Sequence, residues 1–245
     1  KYIDWEYNKE EGVSEINSSQ IKGHIEGDNI KYLDDKDKSV ATAEISLSKE
    51  KYDQIRGSIK FSVYNNAGLF SSYSDDNRII IIDSISPNDG INTDEFVDYS
   101  TPIRTVDSVT YYDGDVKATL KVKEANFYAE DIKVWINDDQ ITNLEWNKQS
   151  DEDDTWYADI TISGNGDYIV RMSCEDKSGN KMSEYVSNKI VIDTIDPIAS
   201  IDYTNNNVIN NINGNKIYDS NQEAVITLVE HNFRASDFTI NISAT

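Results

Sequence analysis

YDGDVKATLKVKEANFYAEDIKV, residues 112–134, recurs as YDSNQEAVITLVEHNFRASDFTI at residues 218–240. At a constant spacing of 106, Tyr112, Asp113, Ala118, Glu124, Asn126, Phe127, Ala129 and Asp131 reappear as Tyr218, Asp219, Ala224, Glu230, Asn232, Phe233, Ala235 and Asp237. A second pair, NRIIIIDSISP ending at Pro87 and NKIVIDTIDP ending at Pro197, lies 110–111 residues apart. A period near 110 is longer than the roughly 20–50 residues of solenoid repeats and matches one small β-sandwich. The repeat therefore predicts an all-β chain of tandem antiparallel sandwiches in an elongated array.

Alternation inside the segments supports strands. VKATLKVKE sets Val116, Ala118, Leu120 and Val122 on one face, with lysines and a threonine on the other. ATAEISLS does the same with Ala43, Ile45 and Leu47, SIKFSVYNNAG with Ile59, Phe61 and Val63, DIKVWIND with Ile132, Val134 and Ile136, and AVITLV with Ala224, Ile226 and Leu228. Period-two alternation with one polar face is the pattern of a half-buried antiparallel strand. YADITISGNGDYIVRMSC reads as a hairpin closed by Gly164, Asn165 and Gly166, and QIKGHIEGDNIKYLDD as an extra polar hairpin. The best helical candidate is one short turn at 49–55.

Pro87 and Pro197 each follow an apolar strand and an Asp/Ser/Thr turn. Proline cannot continue a central strand, so each marks a hand-over to the next unit. The expected domains are 1–87, atypical or truncated with an insertion near 10–38; 88–196, a complete repeat; and 197–245, the first half of another. About 50 residues with two or three strands cannot bury a sandwich core alone. The chain opens on Lys1 with no signal peptide or initiator methionine, and both ends fall inside units. It reads as an excerpt of a longer array.

Forty-five acidic side chains against 23 basic ones give a net charge of −22. That balance argues against nucleic acid and anionic membranes, both of which need Lys/Arg patches. No apolar run approaches the ~20 residues of a membrane span, so no direct membrane insertion is expected. The single cysteine, Cys174, permits no intrachain disulfide and falls on the apolar face of YIVRMSC, as a buried core thiol would.

EANFYAEDI, EDKSGN, NKIVIDTIDP and EHNFRASDF, taken together, resemble the tandem bacterial immunoglobulin-like repeats of large Gram-positive surface proteins of the gut Firmicutes type. The resemblance is close over 100–245, partial over 40–99 and poor over 1–39. It implies immunoglobulin-like (Ig-like) sandwiches in an extracellular stalk on the cell surface or wall, its anchor outside this chain. The implied partners are neighbouring Ig-like domains of the same polypeptide. It implies no catalysis by the repeats. The function expected is therefore a structural spacer of an adhesin-like protein. The alternative is a module that binds a host glycan or protein directly.

Acids near the unit boundaries are candidates for calcium, which takes six to eight oxygen ligands. They are Asp83 and Asp89 around Pro87, Glu124 and Glu230 before the repeated Asn-Phe, Glu175 and Asp176 in EDKSGN (with Asn180), and Asp193 and Asp196 before Pro197. No ligand-complete calcium loop is present, and Asp and Asn in turns also cap their own backbone. In the Glu-x-Asn-Phe element, Phe127 and Phe233 are expected to plug a sandwich end. Asn126 and Asn232 suit a left-handed or bulge position, and Asp131 and Asp237 suit capping of the turn. Exposed aromatics are candidates for ligand stacking: Trp135, out of phase with its apolar neighbours, and the adjacent Trp156 and Tyr157, of which one must face outward. Two histidines, His24 and His231, stand in unrelated contexts, and no nucleophile or zinc spacing appears, so no enzyme activity is expected.

Overall fold

The computed structural model describes residues 1–10, 21–34, 36, 39–74, 77–150, 153–203, 209–219 and 221–241. Among them strand is the dominant regular structure, with helical structure limited to four three-residue 3-10 turns. It divides into two compact units, Lys1–Asp193 and Thr194–Thr245.

The first unit contains two bodies that share no strand. Before Pro87, strand Tyr2–Lys9 pairs antiparallel with Lys22–Glu26 and with the long strand Gln54–Tyr64, which also pairs with Phe70–Ser74 and Ile80–Asp83. The Asn65 side chain closes the turn between two of these strands, accepting from the backbone N–H groups of Ala67 and Leu69. The segment read as a separate polar hairpin is divided instead. Lys22–Glu26 joins the main sheet, and Ile30–Tyr32 pairs with Ala41–Ala43. Much of the expected insertion (11–20, 35, 37 and 38) lies outside the described residues. The strand expected over ATAEISLS ends at Ala43. The helical candidate is a single turn, with the N–H of Tyr52 bonded to the carbonyl of Ser48 at 2.9 Å, and it leads directly into a strand.

After Pro87 the fold is layered around one core. Strand Val116–Lys123 pairs with Thr155–Ile162 and Val97–Tyr99 in one sheet. Ile132–Ile136 pairs with Val170–Cys174 and Asp139–Ile141 in another. Val116, Leu120, Val122, Val134, Val170 and Met172 are completely buried, the arrangement that the alternation dictates. Two pairings depart from the expectation. Thr155–Ile162 and Val170–Cys174 do not form a hairpin; the glycine-rich link carries the chain from one sheet to the other. Their apolar faces (Ala158, Ile160 and Ile162; Val170, Met172 and Cys174) then both contribute to the core. Gly164, at φ +92, supplies the left-handed step, and Tyr168 donates its hydroxyl to the carbonyls of Ser163 and Gly164. The second departure is a parallel ladder, Val109–Tyr112 against Lys189–Ile192, within an otherwise antiparallel arrangement.

The second unit is small. Ile198–Tyr203 pairs with Ala224–Val229, and Asn210–Ile212 with Asn215–Ile217 around an Asn213–Gly214 turn whose φ values, 53° and 83°, are those of a type I′ hairpin. Ile198, Ile201, Val225, Ile226 and Val229 are exposed, as expected of two short sheets that bury little against one another.

Candidate metal site

Three strand ends converge where the two bodies of the first unit meet. Asp83 is the last residue of Ile80–Asp83. Glu124 follows directly on Val116–Lys123, and Asp176 comes two residues after Val170–Cys174. One carboxylate oxygen from each lies within 4.8 Å of the others. Glu124 and Asp176 are 4% and 6% exposed, and Asp83 is half-buried.

Local bonds hold each acid in place. Glu124 Oε1 accepts the N–H of Asn126 at 2.7 Å. In the DKSGN turn, Asp176 Oδ1 accepts from the N–H groups of Ser178 and Asn180, and Oδ2 from Asn180 Nδ2 at 2.8 Å. Asp83 Oδ1 accepts from the N–H of Ile85 at 3.2 Å, and Oδ2 from Asn126 Nδ2 at 2.7 Å. Asn180 Nδ2 also reaches the backbone carbonyl of Asp83 at 3.3 Å. The turn-capping role open to these residues is thus filled, and their carboxylates still converge.

The charge balance is one-sided. Among the described residues no lysine or arginine pairs with any of the three carboxylates. Lys177 is directed to Asp131 and Glu130, and Arg56 to Glu10. Burial raises the pKa of Asp83. Burial, reinforced by the charges of Asp83 and Asp176 and opposed by the Asn126 N–H, pushes Glu124 up to about 8. Asn126 is 5% exposed; while its amide nitrogen is bonded to Asp83, its Oδ1 is buried with no hydrogen-bond partner.

Of the eight acids singled out in the sequence, the structure brings together Asp83, Glu124 and Asp176. Asp89 is exposed, and Glu175 pairs with Lys181 at 3.3 Å. Asp193 ends the first unit, its N–H bonded to the Tyr112 carbonyl. Asp196 and Glu230 belong to the second unit, where Glu230 Oε1 accepts the N–H of Asn232. Of the two conformations open to Asn126, a left-handed or a bulge position, it does not take the left-handed one. The left-handed asparagine at this junction is Asn88, whose Oδ1 accepts the Lys123 N–H at 2.6 Å. Asp131 turns to Lys177 instead of capping its turn.

The aromatic candidates do not come together. Trp135 and Trp156 stand in different sheets. Trp135 is half-buried under the Arg171 guanidinium, 5.8 Å from its ring. Trp156 faces the core side, opposite Val122, stacked on Phe127 at 4.2 Å and donating its indole N–H to the Glu124 carbonyl. Tyr157, opposite Lys121, is the outward member of that pair. Cys174 is buried, and burial pushes its thiol up to about 12.

No helix among the described residues is long and apolar enough to cross a membrane. Comparison with protein-family models, curated proteins and solved structures finds no match for this chain.

Proposed function

We propose that this chain is a spacer segment of an extracellular bacterial surface protein, built from tandem Ig-like sandwiches. The observation that carries this reading is that one element is built twice with the same local geometry. Glu124 and Glu230 each accept the N–H of the asparagine two residues on. Each element then enters a 3-10 turn, Ala129–Asp131 or Ala235–Asp237, from a residue at φ −133 and ψ 119 or φ −132 and ψ 120. A repeated element solves the same packing problem in each copy, which is architecture before it is chemistry. The strong negative charge keeps neighbouring units apart and soluble. The reading assigns the chain no catalysis.

Small-angle scattering tests it. A spacer gives a radius of gyration clearly above the about 18 Å of one compact domain of this length, and a value near 18 Å overturns the reading.

A second reading, direct binding of a glycan or protein, is favoured by one observation. Tyr2, Tyr64 and Phe70 form a continuous row of stacked rings, with centroids 4.4 and 5.4 Å apart, beside a cavity of about 760 Å³ in the first body. Phe70 is exposed and Tyr2 and Tyr64 are half-buried, and aromatic faces that reach solvent can stack on sugar rings. Saturation-transfer NMR against a glycan panel, with Tyr64→Ala as control, separates the two. Ring-dependent transfer supports binding, and its absence leaves the spacer.

A further inference from the structure

We infer that Asp83, Glu124 and Asp176, with the side-chain oxygen of Asn126, form a binding site for one calcium-class divalent cation that fastens the first body to the middle one. The inference goes beyond the spacer reading and does not depend on it.

Three features carry it. The first is a group of acids with no base to balance it. One oxygen from each of Asp83, Glu124 and Asp176 lies within 4.8 Å of the others, two of the three side chains are nearly inaccessible, and among the described residues no basic side chain pairs with them. Each buried ion costs several kcal/mol unless its charge is balanced. The N–H bonds around the cluster ease this cost, but they bring no positive charge.

The second is the Asn126 oxygen. Nearly all buried acceptors in folded proteins find a donor or an ion, so an orphan asks for a partner. This one sits on an amide whose nitrogen is already bonded to Asp83. An acceptor on a residue that is bonded to both Asp83 and Glu124 has no use for a further anion and can serve a cation.

The third is the donor set. Each of the three carboxylates brings one oxygen to the cluster, and among the described residues neither imidazole nor thiolate belongs to it; Asn126 Oδ1 and water would complete the shell. All-oxygen sites select magnesium, calcium or manganese over zinc or copper. Magnesium keeps most of its water and demands near-octahedral geometry. Calcium accepts six to eight oxygens at adjustable angles, which suits carboxylates donated by three separate strand ends.

The position gives the ion its role. Asp83 closes the last strand of the first body, while Glu124 and Asp176 leave two strands in opposite sheets of the middle body. A shared cation there joins three strand ends that no backbone ladder connects. The existing polar links, Asn126 to Asp83, Asn180 to the Asp83 carbonyl and Arg56 Nη1 to the Tyr128 hydroxyl at 3.2 Å, follow the same seam.

The test uses the whole chain stripped of metal. Calcium is expected to raise its thermal midpoint and chelator to reverse the rise, with a Kd of about 10⁻⁴–10⁻³ M, the range of extracellular calcium modules. Terbium(III), used as a luminescent substitute, is expected to be sensitised by Trp156, whose indole is bonded to the Glu124 carbonyl, and to be displaced by calcium. Glu124→Gln and Asp83→Asn are expected to lower terbium affinity at least about tenfold. Glu175→Gln, exposed and adjacent, leaves it unchanged. A midpoint in the unaltered chain that stays fixed up to about 10 mM calcium overturns the inference whatever the variants do. So does terbium emission indifferent to both cluster variants, or equally weakened by Glu175→Gln. Scattering in chelator tests the spacer reading separately, so the two can fail independently.

Discussion

Asn126 Nδ2 donates to Asp83 Oδ2 at 2.7 Å, across 43 residues of sequence and between two sheets that share no strand. The same asparagine gives its backbone N–H to Glu124. One residue therefore sets the positions of two of the three clustered acids.

Replacing it should loosen the seam. Asn126→Ala removes the donor to Asp83 and is expected to cost about 1–3 kcal/mol in urea unfolding of the metal-free chain. Asn126→Asp adds a fourth carboxylate. It should be the less stable of the two variants in chelator and gain more from calcium than the unaltered chain does. An Asn126→Asp midpoint unaffected by calcium contradicts the cation role.

The middle body has a packed core, whereas none of the described residues of the second unit is buried. Leu120, fully buried, is expected to lose about 2–5 kcal/mol on truncation to alanine. Ile226, in a strand of like sequence but 40% exposed, should lose under about 0.5 kcal/mol. Denaturant unfolding of both variants checks the contrast, and equal losses would mean that the second unit is as well packed as the middle body.

Cys174 is expected to be chemically silent. Its thiol is buried and its pKa is raised to about 12 by desolvation first, with the nearby charge of Glu124 next. A thiol-reactive disulfide reagent at mildly alkaline pH should label the chain only after denaturant is added. Rapid labelling of the native protein would place the sulfur at the surface.

His24 carries a measurable pH signature. Its Nδ1 lies 2.6 Å from Asp4 Oδ1, and that bond raises the imidazole pKa above 6.5, helped by Glu26 and opposed by desolvation. A raised histidine pKa adds stability that is fully present below the unfolded value and is lost as the pH rises through the folded one. NMR titration should place the His24 midpoint above 6.5, and Asp4→Asn should bring it down. A midpoint that Asp4→Asn leaves unmoved would show that the pairing does not form.

The strands of the middle body were legible because period-two alternation was regular: every second residue from Val116 to Val122 is buried. Their pairing was not. Alternation says which face is inward but not which sheet a strand joins, so the link through Gly164 and Gly166 read as a hairpin although it crosses the core. The parallel ladder of Val109–Tyr112 with Lys189–Ile192 joins the two ends of one body, and no local signal specifies a contact of that range. The acids were visible as residues near boundaries, but their convergence was not, since Asp83 meets Glu124 and Asp176 only through long-range folding. The left-handed position at this seam belongs to Asn88, and Asn126 reaches Asp83 instead, a contact that its local sequence does not specify.

A crystal structure grown with calcium tests the central claim most directly. A single density peak lying about 2.3–2.6 Å from carboxylate oxygens of Asp83, Glu124 and Asp176, with Asn126 Oδ1 in or facing its shell, is the expected result. Well-ordered carboxylates hydrogen-bonded to one another with no ion between them, at saturating calcium, would contradict it.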